Sequence, residues 1–64
     1  MKRRDLEKHL AKHGCRFHRR GGEHDMWINP SIHRKAAVPR HKEVVTPTLK
    51  NICRQLKIPI PPGI

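Results

Sequence analysis

The chain has 64 residues, which suffices for one small domain with a small hydrophobic core. Its 15 Lys and Arg residues outnumber 5 Asp and Glu residues, and the formal net charge of +10 attracts polyanions such as nucleic acid or an acidic protein. No apolar run approaches the roughly 18 residues of a membrane span. The basic residues 1–4 precede charged residues rather than an apolar segment, which argues against a secretory signal peptide and predicts a cytoplasmic protein.

The two cysteines, Cys15 and Cys53, lie far apart in the sequence and form no recognisable disulfide framework. In a cytoplasmic protein we expect both thiols to be reduced. A free cysteine packs as a small hydrophobic residue, so both are predicted to be buried.

Residues 3–13 are predicted to form the first helix. Leu6 and Leu10 recur at i and i+4 and give this helix a narrow apolar stripe. Gly14 is the type of residue that follows a helix, because glycine adopts positive φ without steric cost. The first helix is therefore predicted to end just before Gly14.

Three strands are predicted to follow, over residues 15–20, 23–29 and 32–38. Gly21-Gly22 is predicted to be the two-residue hairpin turn between the first two strands, since such turns require positive φ. Asn29-Pro30-Ser31 favours a second turn. Pro39 ends the third strand, because proline has no amide hydrogen to donate to a neighbouring strand.

Side chains alternate between the two faces of a strand, and the alternation predicts which residues lie together. In the first strand the apolar and the cationic side chains fall on opposite faces, giving the sets Cys15/Phe17 and Arg16/His18/Arg20. The second strand places His24 on one face with Met26 and Ile28, and Trp27 on the other. Trp27 can pack in the core, stack on a base or contact a protein partner.

Residues 39–45 are predicted to be a loop, with or without a short turn of helix. Thr46 is predicted to be the N-cap of the second helix and Pro47 its first residue. This helix has the clearest apolar periodicity in the chain, i, i+3, i+4, i+7, at Leu49, Ile52, Cys53 and Leu56. Pro59 ends it after residue 57. The prediction is one domain over residues 1–58 and a mobile, Pro-rich tail over 59–64.

The predicted order α-β-β-β-α defines an α+β fold. Two helices with one apolar stripe each can cover one face of a three-stranded antiparallel sheet and leave the other face open to solvent. This is the layout of the double-stranded-RNA-binding domain.

Several segments, in this order and spacing, resemble the HicA family of toxins. The resemblance rests on their combination: a short basic first helix, then Arg20-Gly21-Gly22-Glu23-His24, Val38-Pro39-Arg40-His41 and a closing helix that ends in Gln55-Leu56. The resemblance covers about residues 2–58, which is nearly the whole chain.

The resemblance implies a double-stranded-RNA-binding-domain-like fold and cleavage of mRNA without a required metal or other cofactor. It also implies that a HicB-like antitoxin neutralises the protein; a homodimer and a hetero-oligomer with the antitoxin both remain open. The family's catalytic residue is a histidine of the second strand, which corresponds to His24. The family's most familiar form has Ser before this histidine, whereas this chain has Glu23.

RNA can be cut without metal, because its own 2′-hydroxyl attacks the adjacent phosphorus once a base removes the hydroxyl proton. Imidazole suits this role, since its unperturbed pKa of about 6.5 lies near working pH. We therefore expect His24 to be the general base or the central catalytic group. The alternative is that His24, beside Met26 and Ile28, is a histidine of the core or its rim.

Basic residues surround the predicted hairpin and follow the third strand. Because Arg and Lys bind phosphates and so position RNA, contact with RNA is predicted for Arg16, Arg19, Arg20, Arg34, Lys35, Arg40 and Lys42. His41 is predicted to bind phosphate or to assist catalysis, and a structural role in the loop is its alternative. For the whole set, the alternative is a charged surface that only keeps the protein soluble.

Three other function classes remain open. A non-catalytic RNA-binding module of the same fold would bind RNA without cutting it. A basic interaction protein would bind an acidic partner and no RNA. A small zinc protein would use His9 and His13, one helical turn apart, but neither carboxylates nor cysteines stand at the usual zinc spacings, so no metal site is predicted.

Overall fold

A computed structural model describes residues 1–64 and confirms the predicted α-β-β-β-α order. The elements are α1 (Arg3–Lys12), β1 (Arg16–Gly21), β2 (His24–Asn29), β3 (Arg34–Pro39) and α2 (Thr46–Leu56). The strands form one antiparallel sheet in the order β1-β2-β3. Neither helix has the length and apolarity needed to cross a lipid bilayer.

The hydrophobic core lies between one face of the sheet and the two helices, as predicted. It is a single cluster of 11 buried residues: Leu6, Leu10, Cys15, Trp27, Ala36, Val38, Val44, Leu49, Ile52, Cys53 and Leu56. Both predicted helical stripes are in it, and so are both cysteines, which are free. Burying one such leucine stabilises a fold by about 1.5–3 kcal/mol relative to leaving it exposed. No residue of β1 belongs to this cluster.

Directly opposed residues of neighbouring strands share a face of the sheet. The face toward the helices, here called the helix face, carries the pairs Trp27–Ala36 and Asp25–Val38. The other face, here called the open face, carries the pairs Met26–Ala37 and Ile28–Lys35. The predicted alternation of β2 is therefore confirmed.

The alternation predicted for β1 is wrong beyond Phe17, because β1 contains a bulge. The register shifts between Phe17, which pairs with Trp27, and Arg19, which pairs with Met26, so His18 is an extra residue. One extra residue exchanges the faces of all residues that follow it. As a result Arg19 shares the open face with Arg16, and Arg20 lies on the helix face.

The first turn is also displaced by one residue from its predicted place. Gly21 pairs with His24, so the two turn residues are Gly22 and Glu23 rather than Gly21-Gly22. Gly22 has φ +45°, which supplies the positive φ that the first turn position requires. Glu23 therefore lies at the tip of the hairpin, directly before His24.

The third strand begins at Arg34 and not at residue 32. The amide of Ile32 donates to the carbonyl of Asn29 at 3.3 Å, and His33 has φ +53°, so the chain is still turning at both positions. Ile32 is consequently an exposed apolar side chain. Pro39 is the last residue of β3, in agreement with its predicted role.

Both ends of α2 differ in detail from the sequence prediction. Val45 is the N-cap and Thr46 is already helical without a capping side-chain bond, because the Val45 carbonyl accepts the first helical bond, from Leu49, at 3.0 Å. Burial of Val44 brings the chain into this position one residue early. At the other end Lys57 is left-handed (φ 57°, ψ 43°), and Asn29 Nδ2 donates to the Leu56 carbonyl at 2.8 Å.

The loop after β3 contains no helical turn; instead it pairs with the beginning of the chain. Arg3 N donates to the Lys42 carbonyl at 2.9 Å, and Val44 N donates to the Met1 carbonyl at 2.8 Å. Lys2 and Glu43 form an antiparallel bridge between these bonds. Residues 1–3 are thereby fixed beside residues 42–44.

The residues after α2 lie against the domain along part of their length. Ile58 and Ile60 pack on the core, and Pro61 is buried. The ring of His9 contacts the Pro59 carbonyl through Nε2 at 2.6 Å. The segment predicted to be a mobile tail therefore contributes contacts to α1 and to the core.

Candidate functional site

His24 lies on the open face at the hairpin end of the sheet. It is the first residue of β2, is directly opposed by Gly21 on one side and Pro39 on the other, and is exposed. Its ring forms no hydrogen bond within the protein. The alternative of a core histidine is thus excluded, and the imidazole is accessible to a ligand that approaches the open face.

Three of the predicted RNA-binding residues share the open face with His24. Arg19 is opposite Met26, two residues along β2 from His24, and this separation corresponds to roughly 7 Å of strand. Arg16 and Lys35 lie on either side of Ile28, which follows Met26 by two residues in β2. All three are exposed, so the open face carries a row of cations that leads away from His24.

Two other predicted RNA-binding residues are not on that face. Arg20 is opposite Asp25 on the helix face because of the bulge at His18. Arg34 is opposite Asn29, and its Nε donates to the Gln55 carbonyl at the end of α2, at 2.9 Å. The structure therefore separates Arg20 and Arg34 from His24, and Arg34 serves to hold β3 against α2.

Arg40 and His41 follow β3 and line a cavity of about 360 Å³ together with Glu23. Arg40 N donates to the Glu23 carbonyl at 3.3 Å, which holds the loop at the tip of the hairpin. Since Glu23 directly precedes His24, this cavity adjoins the end of the open face at which His24 lies. His24 itself is not among the residues that line the cavity.

Asp25 fixes the Arg40 side chain from the other side of the sheet. Arg40 Nε lies 3.6 Å from Asp25 Oδ1, and both side chains are mostly buried. That oxygen has no hydrogen-bond partner, so the ion pair is its main compensation for lost hydration. The Asp25 carboxylate thus lies on the helix face, away from His24, and does not oppose an anion there.

Trp27 packs in the hydrophobic core and is not available to stack on a base. It is 9% exposed, and its ring centroid lies 6.4 Å from that of Phe17, which covers it from β1. Phe17 is 50% exposed because no helix lies over β1. Among the three roles open to Trp27 from the sequence, the structure gives it the core role.

The remaining candidate groups are structural. Burial raises the pKa of the Cys15 and Cys53 thiols, and the nearby Cys15 raises that of Cys53 further. Protonated, buried thiols are poor nucleophiles. The rings of His9 and His13 lie 4.6 Å apart, but no group of three His, Cys, Asp or Glu side chains is placed to hold a metal ion.

A second cavity was not predicted from the sequence. It has a volume of about 220 Å³ and is lined by Lys2, Arg3, Arg4 and Lys42. The signal in the sequence was the basic run at residues 2–4. Only the pairing of residues 1–3 with 42–44 brings Lys42 to it.

Comparison with known families gives one match. The family described as the HicA toxin of bacterial toxin–antitoxin systems matches residues 3–58, which includes all five elements of secondary structure. Comparisons with curated proteins and with solved structures found no match. With most of its length matched and with the α-β-β-β-α fold in place, the chain belongs to the HicA family of toxins of bacterial toxin–antitoxin systems.

Proposed function

We propose that this toxin is a metal-independent endoribonuclease that cleaves mRNA, with His24 as its central catalytic group. The observation that carries the proposal is the position of His24: an exposed imidazole on the central strand of the sheet, on a face that no other element covers, beside a row of cations. Membership of a toxin family gives this arrangement its biological context.

The reaction needs only the RNA and protein side chains. His24 takes the proton of a 2′-hydroxyl, the 2′-oxygen forms a bond to the adjacent phosphorus, and the bond from phosphorus to the 5′-oxygen breaks. The departing 5′-oxygen takes up a proton from water or from a protonated His41, and His24 later releases its proton to solvent, so the products are a 2′,3′-cyclic phosphate and a 5′-hydroxyl. A positioned acid–base group of this kind contributes about 10²–10⁴-fold to the rate.

The negative charge that builds on the phosphate oxygens requires cations nearby. Arg19 is the arginine nearest to His24 along the open face, and we assign it to the reacting phosphate. Arg16 and Lys35, further along, bind the neighbouring phosphates. At the hairpin tip the exposed His41 binds a further phosphate or protonates the departing 5′-oxygen, and Arg40, held in place by Asp25, contributes positive charge beside it.

A HicB-like antitoxin would then act by covering the open face. An inhibitor of this surface needs carboxylates for Arg16, Arg19 and Lys35, and it must exclude RNA from His24. Because the open face also carries Met26 and Ile28, both only half-buried, the inhibitor also gains apolar contact area there.

The test compares wild type with His24→Ala on a defined mRNA in the presence of EDTA. We expect cleavage by the variant to be about 10²–10⁴-fold slower. The matched control is His33→Asn, which changes an exposed histidine in the turn before β3; asparagine tolerates its positive φ. Circular dichroism verifies that both variants are folded.

Equal cleavage by wild type and His24→Ala would refute the role of His24. If wild type binds RNA in a salt-sensitive manner but leaves it uncut, the protein is a non-catalytic RNA-binding protein. The first substitution to make would then be Glu23→Ser, since the family's usual residue there is Ser.

A further inference from the structure

The cavity at the start of α1 is lined only by cations. Its four residues, Lys2, Arg3, Arg4 and Lys42, contribute up to four positive charges around a volume of about 220 Å³. Like charges held this close repel one another, so the arrangement costs stability unless an anion enters. A cavity of this size admits one compact oxyanion such as a phosphate group.

Backbone bonds keep the four cations together. The bond from Arg3 N to the Lys42 carbonyl and the bridge between Lys2 and Glu43 connect the two segments that supply them. The backbone of residues 1–3 is therefore held beside that of residues 42–44, which brings the four side chains around one volume.

Neighbouring carboxylates do not neutralise the cavity. Glu7 lies 3.9 Å from Arg3 Nε, and Glu43 is turned toward the amino group of Met1, at 3.5 Å. Both contacts are long and partly exposed to solvent, and neither acid lines the cavity. Lys2, Arg4 and Lys42 form no ion pair at all.

The cavity is connected to the candidate site through Arg3. Arg3 lines the cavity, and its Nη1 donates to the Arg40 carbonyl at 2.8 Å. Arg40 in turn lines the cavity at the hairpin tip with Glu23 and His41. The two cavities are therefore linked through the side chain of Arg3 and the backbone of Arg40.

We propose that the cavity formed by Lys2, Arg3, Arg4 and Lys42 binds a backbone phosphate of the RNA strand, at a nucleotide flanking the one held at His24. The identity of the ligand rests on the proposed function. Arg and Lys around a small volume match the several oxygens of a phosphate group, with which Arg forms paired hydrogen bonds. The neighbouring cavity favours a strand with regularly repeated anions over a single acidic side chain.

The first experiment measures binding without cleavage. A fluorescent 2′-O-methyl RNA of ten nucleotides is titrated by anisotropy at several salt concentrations, since it lacks the attacking hydroxyl. We expect Lys2→Ala/Lys42→Ala to bind about tenfold more weakly, and the slope of log K against log[salt] to fall by about 0.7 for the lost phosphate contact. The control is Lys12→Ala/Lys57→Ala, which removes the same charge from two exposed lysines at the far ends of the helices.

Equal weakening in both double variants would overturn the proposal, because net charge alone would then account for the loss. Unchanged RNA binding by Lys2→Ala/Lys42→Ala would overturn it too. If that variant also lost affinity for a polyglutamate peptide, the cavity would be assigned to an acidic protein instead.

The second experiment uses cleavable RNA. The ratio of kcat/KM for a long substrate to that for a dinucleotide reports the contribution of flanking phosphates; we expect Lys2→Ala/Lys42→Ala to lower this ratio and Lys12→Ala/Lys57→Ala to preserve it. An unchanged ratio in the first variant contradicts the proposal. If wild type cuts no RNA, the proposed function fails, and the anisotropy comparison still decides the cavity.

Discussion

The two outer strands of the sheet have opposite surroundings. On β3, Ala36 and Val38 are buried under α2, whereas on β1 every residue except Gly21 is exposed. The part of the domain around β3 supplies core packing. The part around β1, together with the open face, supplies the exposed cations. A domain this small thus separates the side that stabilises it from the side that carries its exposed cations, so each can be changed with little effect on the other.

The exposed arginines of β1 have a second consequence. An outer strand presents unpaired backbone groups that can join to another sheet, and charged side chains oppose such pairing. Arg16, Arg19 and Arg20 all lie on β1. These arginines therefore oppose pairing of the free edge of β1 with another sheet, in addition to supplying positive charge.

The largest expected contrast is between Leu49→Ala and Phe17→Ala. Leu49 is fully buried in α2, so its truncation is expected to lower the free energy of unfolding by about 2–5 kcal/mol. Phe17 is half exposed and packs mainly on Trp27, so its loss is expected to cost about 1 kcal/mol. Urea unfolding followed by tryptophan fluorescence measures both, and similar losses would contradict the separation described above.

A smaller effect is expected at Asn29, which joins β2 to α2. Asn29→Ala leaves the Leu56 carbonyl without its buried donor and is expected to lower the free energy of unfolding by about 1–3 kcal/mol. The control is Asn51→Ala, an exposed position in α2 whose only side-chain bond is a long one, at 3.4 Å, to Arg54. If both variants unfold at the same urea concentration, the Asn29 bond contributes nothing.

Lys57→Gly is expected to stabilise the protein by about 0.5–1 kcal/mol, because Lys57 is held in the left-handed conformation that favours glycine. The same substitution at Lys50, inside α2, is expected to cost about 1 kcal/mol. The difference in urea midpoint between the two variants tests this assignment. A destabilised Lys57→Gly would show that the lysine side chain contributes more than its backbone strain costs.

The smallest effect concerns the buried thiols and is absent at neutral pH. Burial raises the pKa of Cys15 and Cys53 above the ordinary value of 9.0, so above that pH the unfolded chain releases protons that the folded protein keeps. The free energy of unfolding should therefore decrease as pH rises from 9.0 through the raised values of the folded state. The double variant Cys15→Ala/Cys53→Ala should show a shallower decrease over that range, and an identical slope would refute the assignment.

The parts of the fold that were predictable depend on periodicity. The stripe Leu49, Ile52, Cys53, Leu56 identified α2 and its buried face, and alternation in β2 placed Trp27 and His24 on opposite faces. Family resemblance, rather than periodicity, singled out His24.

The parts that were not predictable depend on one-residue offsets and on distant pairing. Nothing in the local sequence marks His18 as a bulge, and this residue decides that Arg19 and not Arg20 reaches the open face. The positive φ of His33 moves the start of β3 to Arg34. It could not be predicted, because such a φ is usually marked by a glycine and this position is a histidine. The cavity with Lys42 depends on contacts between segments some forty positions apart, which no window along the sequence detects.

The place of α2 in the chain has a consequence for synthesis. Four of the 11 core residues, Leu49, Ile52, Cys53 and Leu56, belong to this last element, and β1 and β2 together supply only Trp27. The hairpin that carries His24 is therefore synthesised before the residues of α2 that complete the core beneath it. The surface around His24 therefore becomes stable only once α2 has been synthesised and has packed on the sheet, so the domain folds as a unit after its last element is made.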